Sequence, residues 1–318
     1  MGTLYIDRKD LELRVDGKAI ALYLGNKREG VVPLGPLKRV IIVGNVRLNA
    51  SVLHKLASYN ISALFLSGKR LRFAGILHGR LHRNGLIRLK QYEKIHTPFA
   101  LITAVELIEK KLEKQKEFLI ERAEQRNDIK HDLLRAVRTI DEIIRQVRQH
   151  PNLNSLRGLE GSAANAYYRA FSLLFAPSLG FHARVRRPPT DPVNAMLSLT
   201  YTFLHFEMVR EIECIGLDPV IGYYHTFEYG RESLACDLVE PFRPNVDCFV
   251  YSIFKGEQLR TSDFAKENSN NSCYLKKKSR KKYFFLYESW AQSQRELWQD
   301  EVRKLARRIA DGADSLFD

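Results

Sequence analysis

Three short segments of this chain carry side chains whose types and spacing suit chemistry on an anionic substrate. The first, Leu159-Glu160-Gly161-Ser162-Ala163-Ala164-Asn165, places one carboxylate at what reads as the start of a helix. Its small neighbours let another helix, or a ligand, come close. A glutamate favoured by the dipole of a first helical turn is the plain alternative. The second, Gly222-Tyr223-Tyr224-His225, sets an imidazole between aromatic residues just after a turn; the alternative is a hydrogen-bonded core histidine. The third runs from Leu234 to Pro244 and carries Asp237 and Glu240, three residues apart. On a helix they share a face, with Leu234 and Leu238 packing on the other side. Two like charges held together call for a cation or an arginine between them. Surface pairs with Arg231 and Arg243 would answer that need as well as a metal. As a set, one imidazole and several carboxylates are hard-cation donors, suited to Mg²⁺ or Mn²⁺. Such a cation polarises a phosphoryl oxygen and stabilises the attacking or leaving oxygen. The residues by themselves point to metal-assisted phosphodiester chemistry, and leave open whether Glu160, His225 and Glu240 converge.

The elements that must position them change character along the chain. Thr3–Ile6, Leu11–Val15, Ala19–Leu24, Val31–Leu34 and Arg39–Val43 read as short strands, with Asp16-Gly17 as a hairpin turn. Ala50–Tyr59 has helical spacing, and Ile61–Leu66 and Leu71–Ile76 look like further strands. From about Leu86 the apolar period becomes helical. Ile102, Val105, Ile108, Leu112, Leu119 and Ile120 predict one long amphipathic helix, and Leu133, Val137, Ile140, Ile144 and Val147 a second. His150-Pro151 breaks the pattern, and a third helix is expected from near Leu159 to Phe175. Asp191 as N-cap and Pro192 at the first helical position start another, running to about Ile215. Gly216–Pro219 turns the chain, Ser233–Glu240 is a short helix, and Trp290–Ala310 the last. Lys266–Cys273 reads as an Asn/Ser-rich loop. The dense bases of Lys276–Lys282 repel one another, which predicts a solvated segment neither buried nor rigidly helical. The fold expected is α+β: a β-rich domain over residues 1–85, then a larger all-α domain over 86–318 that carries the three segments.

Composition sets limits. The chain has 318 residues, 45% hydrophobic and 28% charged, and a net charge of +14. That is ordinary globular composition and excludes bulk disorder. No charge-free apolar run reaches the roughly 20 residues of a membrane span, and the start has no apolar secretory core. Cys214, Cys236, Cys248 and Cys273 follow no metal-knuckle or disulfide spacing, which suits a reducing cytoplasm. Residues 1–100 hold 18 basic and 6 acidic side chains, with eleven bases and no acid between Glu29 and Glu93. Stretches this one-sided meet polyanions, although a merely solubilising surface reads the same. Residues 201–250 reverse the balance with 9 acids against 3 bases, the surroundings in which metal ligands belong. Arg184, Arg186 and Arg187 precede a Pro-Pro turn and would suit phosphate contact or plain surface charge. Tyr167, Tyr168, Tyr223 and Tyr224 are candidates to line the site or stack on a displaced base, and His205 reads as core.

Five features in this order resemble one family. They are the strands Ile41–Gly44 and Ile61–Ser67; Leu159-Glu160-Gly161 with Ala163-Ala164; Arg187-Pro188-Pro189-Thr190-Asp191-Pro192-Val193-Asn194; Gly216-Leu217-Asp218-Pro219 leading to His225; and Asp237-Leu238-Val239-Glu240-Pro241-Phe242-Arg243-Pro244. Together, over nearly the whole chain, they resemble the CRISPR adaptation integrase, the first CRISPR-associated protein family. The resemblance implies a metal-dependent DNA endonuclease that inserts short DNA fragments into a CRISPR array. A 3′-hydroxyl of the incoming DNA would attack a phosphodiester of the repeat. It implies that Glu160, His225 and Glu240 bind Mg²⁺ or Mn²⁺, with Asp237 as a supporting catalytic residue. The implied partners are double-stranded DNA, a second copy of the chain through the β-rich domain, and the small second CRISPR-associated protein. A structure-specific nuclease that hydrolyses branched DNA without joining ends, and a non-catalytic nucleic-acid-binding module, are the alternatives.

Overall fold

In the computed structural model, the β-branched and aliphatic runs of the first part of the chain form β1 (Gly2–Ile6), β2 (Leu11–Asp16), β3 (Ala19–Leu24), β4 (Lys27–Pro33), β5 (Leu37–Val43) and β6 (Arg47–Leu48). The helix α1 (Ala50–Ser58) follows, then β7 (Ser62–Ser67) and β8 (Arg72–Leu77). The structure describes residues 2–68, 71–79, 82, 85–149, 152–267 and 271–310. One sheet has the order β4-β3-β2-β6, antiparallel except for the parallel β2–β6 pair. The other has the order β1-β5-β7-β8, parallel until β8 closes it antiparallel.

Strand β5 is buried on both faces. Val40 and Ile42 join Leu13, Ile20, Val52 and Leu56 in a small core between the sheets and α1. Ile41 and Val43, with Leu64 and Leu66 of β7, turn to the other side and enter the large core made with the helices. Side chains alternate along a strand, so the unbroken apolar run Val40–Val43 follows from having two cores to fill. Arg39 lies on the helix-facing side and is buried. It pairs with Glu207 at 2.6 Å and Glu211 at 3.5 Å. It is therefore unavailable to a polyanion, contrary to the sequence count that included it. Arg88 is bonded to Glu213 and the Gly216 carbonyl, and Lys90 to the Ala310 carbonyl. Arg47 is exposed, and Lys38 and Lys55 are half-buried. Lys69, Arg70, Arg80 and Arg83, and the side chain of Arg72, lie outside the described residues.

The remainder is mostly helical: α2 (Leu86–Glu93), α3 (Pro98–Gln125), α4 (Lys130–Val147), α5 (Leu153–Ser172), α6 (Pro192–Ile215), α7 (Ser233–Val239), α8 (Arg243–Lys255) and α9 (Lys277–Ile309). A small hairpin of β9 (Phe264–Lys266) and β10 (Cys273–Leu275) precedes α9, so this part is not purely helical. Among the described residues no helix is long and apolar enough to cross a membrane. The four cysteines form no disulfide.

Several boundaries differ from expectation, each for a local reason. Helix α5 begins at Leu153, because the Asn152 side chain caps it by accepting the Ser155 amide. Glu160 is thus in a helix interior, not a first turn. The predicted break at His150-Pro151 lies outside the described residues. Helix α9 starts at Lys277, inside the run expected to be solvated. There Arg280 is buried and bonded to Asp7, and Ser279 donates to Asp263 at 2.6 Å. Lys277, Lys278, Lys281 and Lys282 remain exposed. Helix α8 was not foreseen; its Pro244 occupies the first turn, where a missing amide costs nothing. On α3 the core stripe uses Val105, Ile108, Leu112 and Leu119, while Ile102 and Ile120 turn towards solvent. Of the expected loop Lys266–Cys273, residues 268–270 lie outside the described residues.

Candidate functional site

The three segments meet in the helical part, and a residue of α3 joins two of them. Lys111 projects from the buried face of α3 and donates its ammonium to Glu160 Oε1 of α5 and to Glu240 Oε2, the latter at 2.7 Å. Glu240 opens the single 3₁₀ turn Glu240–Phe242 that links α7 to α8. Its other oxygen accepts from Arg243 Nε at 2.8 Å, and His225 Nε2 stands 3.9 Å from it. Lys111 and Glu240 side chains are each 5% exposed, and Glu160 19%. Burial alone would raise the pKa of Glu240, but Arg243, Lys111 and His225 outweigh it and hold the carboxyl well below its usual range. Burial would likewise lower Lys111, but Glu240 and Glu160 keep its ammonium above the ordinary lysine value.

His225 is placed by a loop that α7 and α2 fix. Asp237 is fully buried on α7, and its carboxylate accepts the amides of Tyr223, Tyr224 and His225 at 2.6, 2.9 and 2.9 Å. The same carboxylate bonds His225 Nδ1 at 2.7 Å. Upstream, buried Gln91 of α2 bonds the carbonyls of Asp218 and Ile221 and accepts the Asp218 amide. Gly222 is obligatory in this loop: a Cβ there would stand 2.7 Å from Asp237 Oδ2 and from the backbone of Ser233. With Nδ1 engaged by Asp237, Nε2 is the ring nitrogen that faces Glu240. Carboxylate–imidazole pairs of this kind orient metal-ligating histidines.

The structure thus brings Glu160, His225, Glu240 and Asp237 to one place. Asp237 pairs with neither arginine, and Arg231 bonds Glu228 instead; Glu240 does pair with Arg243, as the plain alternative had it, but in a partly buried setting rather than on the open surface. Among the described residues no three His, Cys, Asp or Glu side chains are gathered tightly enough to hold an ion as they lie. The Lys111 ammonium stands between the two carboxylates instead. The donor set nevertheless fits Mg²⁺ or Mn²⁺: two carboxylates and one imidazole nitrogen whose ring partner is already engaged.

Aromatic residues around the site pack rather than stand free. Tyr167, Tyr223 and Tyr224 are buried, so none is available to stack on a base; Tyr224 abuts the His225 ring edge-on at 5.0 Å. Tyr168 donates to or accepts from Tyr201, whose hydroxyl donates to buried Asp247. Tyr201 lies under both Arg243 and Arg184. Arg184 also bonds Asn194 and Ser198, whereas Arg186 and Arg187 are exposed. His205 is only partly buried and pairs with Glu232 at 3.2 Å, so it is not a core histidine. Sequence reasoning missed Lys111. Its signal was present: Lys111 and Gln115 fall on the buried stripe of α3 between Ile108 and Phe118, and a polar residue at a core position demands a buried partner.

Comparison with known proteins agrees with this build. A family model described as CRISPR associated protein Cas1 matches residues 4–289. A CRISPR-associated endonuclease Cas1 from Thermodesulfovibrio yellowstonii is 52% identical over 99% of both chains. Another from Rhodospirillum rubrum is 32% identical over 83% of this chain and 79% of its own. In class, then, the chain is a nuclease. More particularly, it belongs to the CRISPR-associated Cas1 family. Two solved structures share its fold. A Cas1 protein from Thermotoga maritima has a TM-score of 0.84 at 23% identity, covering 98% of this chain and 97% of that one. A casposase bound to integration product has a TM-score of 0.85 at 21% identity, covering 99% and 92%. A similar fold also occurs in a Cas6-RT-Cas1–Cas2 complex, with a TM-score of 0.83 at 22% identity, covering all of this chain and 36% of that one.

Proposed function

We propose that this chain is a divalent-metal-dependent DNA endonuclease and integrase that inserts short DNA fragments into a CRISPR array. The observation that carries this reading is the meeting of Glu160, Glu240 and His225, from segments far apart in sequence, around one buried point in a Cas1-family chain. Glu160, Glu240 and His225 Nε2 would hold Mg²⁺ or Mn²⁺, which supplies charge to a phosphoryl oxygen and to the attacking and leaving oxygens. The chain's own residues do the rest. Asp237 fixes the imidazole through Nδ1 and fixes its backbone through three amides. Arg243 keeps Glu240 ionised and oriented, and Arg157 ties the Tyr224 carbonyl to α5 at 2.8 Å. The exposed lysines at the start of α9 would contact duplex phosphates, as would Arg47. The integration product named for the structurally similar casposase supports joining over hydrolysis alone, and the complex named for another neighbour supports a small Cas2 partner.

The 1–85 portion would form the homodimer, because its short strands leave edges to cover; sedimentation that shows only monomer at micromolar concentration would overturn that. The activity is tested by strand transfer into a repeat-bearing duplex. Glu160→Ala, His225→Ala and Glu240→Ala should each abolish cutting and joining while duplex binding stays nearly intact, and EDTA should do the same. Asp237→Ala should lose about 10–100-fold, as supporting ligand-orienting residues do. Full activity in EDTA, or in any one of the three variants, removes the metal assignment. Cutting without joined product replaces the integrase with a hydrolytic nuclease.

A further inference from the structure

Between Glu160 and Glu240, where a cation belongs, the protein places one of its own. The Lys111 ammonium donates to Glu160 Oε1 and Glu240 Oε2, and the side chain is almost wholly withdrawn from water. An unpaired buried ammonium is expensive, and two neighbouring carboxylates without a counter-charge repel. Each therefore accounts for the other's presence. The remaining oxygen of Glu240 is held by Arg243, so Lys111 is what binds Glu240 to Glu160.

We propose that Lys111 is an exchangeable counter-ion: it holds Glu160 and Glu240 together in the metal-free protein, vacates that place when a divalent cation enters, and so sets how tightly the cation binds. This rests on the metal reading of the site. The choice of residue fits exchange. Lysine carries a compact charge on a flexible four-carbon stem and makes no fixed planar fork, so its head can leave while its stem stays on α3. A divalent ion and the ammonium compete for the same two carboxylates and cannot both be bound between them.

The test uses the full chain and the metal alone. Mn²⁺ binding, read by electron paramagnetic resonance, should be at least about ten-fold tighter in Lys111→Met than in the wild type, because a unit charge a few ångströms from the ion is removed. In EDTA the same variant should melt at lower temperature than the wild type, and Mn²⁺ should restore more of its stability than it adds to the wild type. A second measurement needs no folded Met variant. In ¹⁵N-lysine-labelled wild type, the protected ammonium resonance that disappears in Lys111→Arg should move or vanish on saturation with Mg²⁺. An unmoved resonance at saturating Mg²⁺, or equal Mn²⁺ affinity in Lys111→Met, overturns the proposal. If neither protein binds Mn²⁺, the metal reading falls with it. If the wild type binds and Glu160→Gln does not, while Lys111→Met binds no tighter, the metal reading survives and the exchange alone is refuted.

Discussion

Where the N-terminal sheet meets the helices, Arg39 and Arg295 share Glu207, Glu211 and Glu288 among them, and Thr3 and Tyr5 of β1 donate to Glu288. At the candidate site, one lysine spans Glu160 and Glu240. Both clusters are buried, and both tie together elements far apart in sequence. They differ in the cation. A guanidinium presents several donors in a rigid plane, so each arginine at the junction reaches two carboxylates at once and fixes the angle between them. Arg295 is held far above its ordinary pKa: burial lowers it, and Glu288 and Glu207 more than reverse that. An ammonium fixes no such angle. The junction is built to stay, and the site is built so that its central cation can be replaced.

The comparison breaks most sharply at Glu207, which both arginines use. Glu207→Ala leaves Arg39 and Arg295 buried and short of a partner, a loss of about 3–5 kcal/mol. Urea unfolding reads it, and a loss below about 1 kcal/mol would show the junction to be dispensable.

Asp247 sharpens the contrast from the other side. It is a wholly buried carboxylate whose hydrogen-bond partner is the Tyr201 hydroxyl, not a cation. Burial pushes its pKa up to about 6, against the lowering effects of its hydroxyl partners and of Arg184 and Arg243. A folded-state pKa above the unfolded value means the stability contribution is full below pH 3.8 and is lost as pH rises through about 6. Asp247→Asn should therefore gain on the wild type between pH 4 and pH 8, by at most about 3 kcal/mol. Stability differences that stay flat over that window would contradict the burial argument.

The smallest expected effect is Arg39→Lys, which keeps the charge and removes the fork. It should cost about 1.5–3 kcal/mol, the worth of one charged hydrogen bond, and leave Mn²⁺ affinity unchanged. A change in metal affinity would mean that the two clusters are coupled after all.

Much of this was legible beforehand, for reasons visible in particular residues. The period-2 strands, the Asp16-Gly17 turn and the Asp191-Pro192 start each depend on neighbours only a few positions away. The acids and the histidine of the site announced themselves by type. What stayed hidden depended on distant partners. Nothing local says that Lys276–Lys282 would be helical, because the acids that anchor Ser279 and Arg280 are Asp263 and Asp7. Lys111 was passed over, although its position on the α3 stripe marked it as buried. Arg39 was counted with the bases awaiting a polyanion, because its partners Glu207 and Glu211 come some 170 residues later.

That separation has a consequence for how the chain is made. The helix-facing side of the β1-β5-β7-β8 sheet is closed by α6 and α9, and Thr3 finds Glu288 only 285 residues further on. A ribosome adding about 5–20 residues per second takes roughly ten to sixty seconds to cover that distance. Until α6 is made Arg39 has no carboxylate to meet, and until α9 is made the face carrying Ile41, Val43, Leu64 and Leu66 lacks part of its cover. Native closure of that face must wait until α9 has been made, and until then the nascent sheet presents an incompletely covered apolar surface to whatever else is in reach.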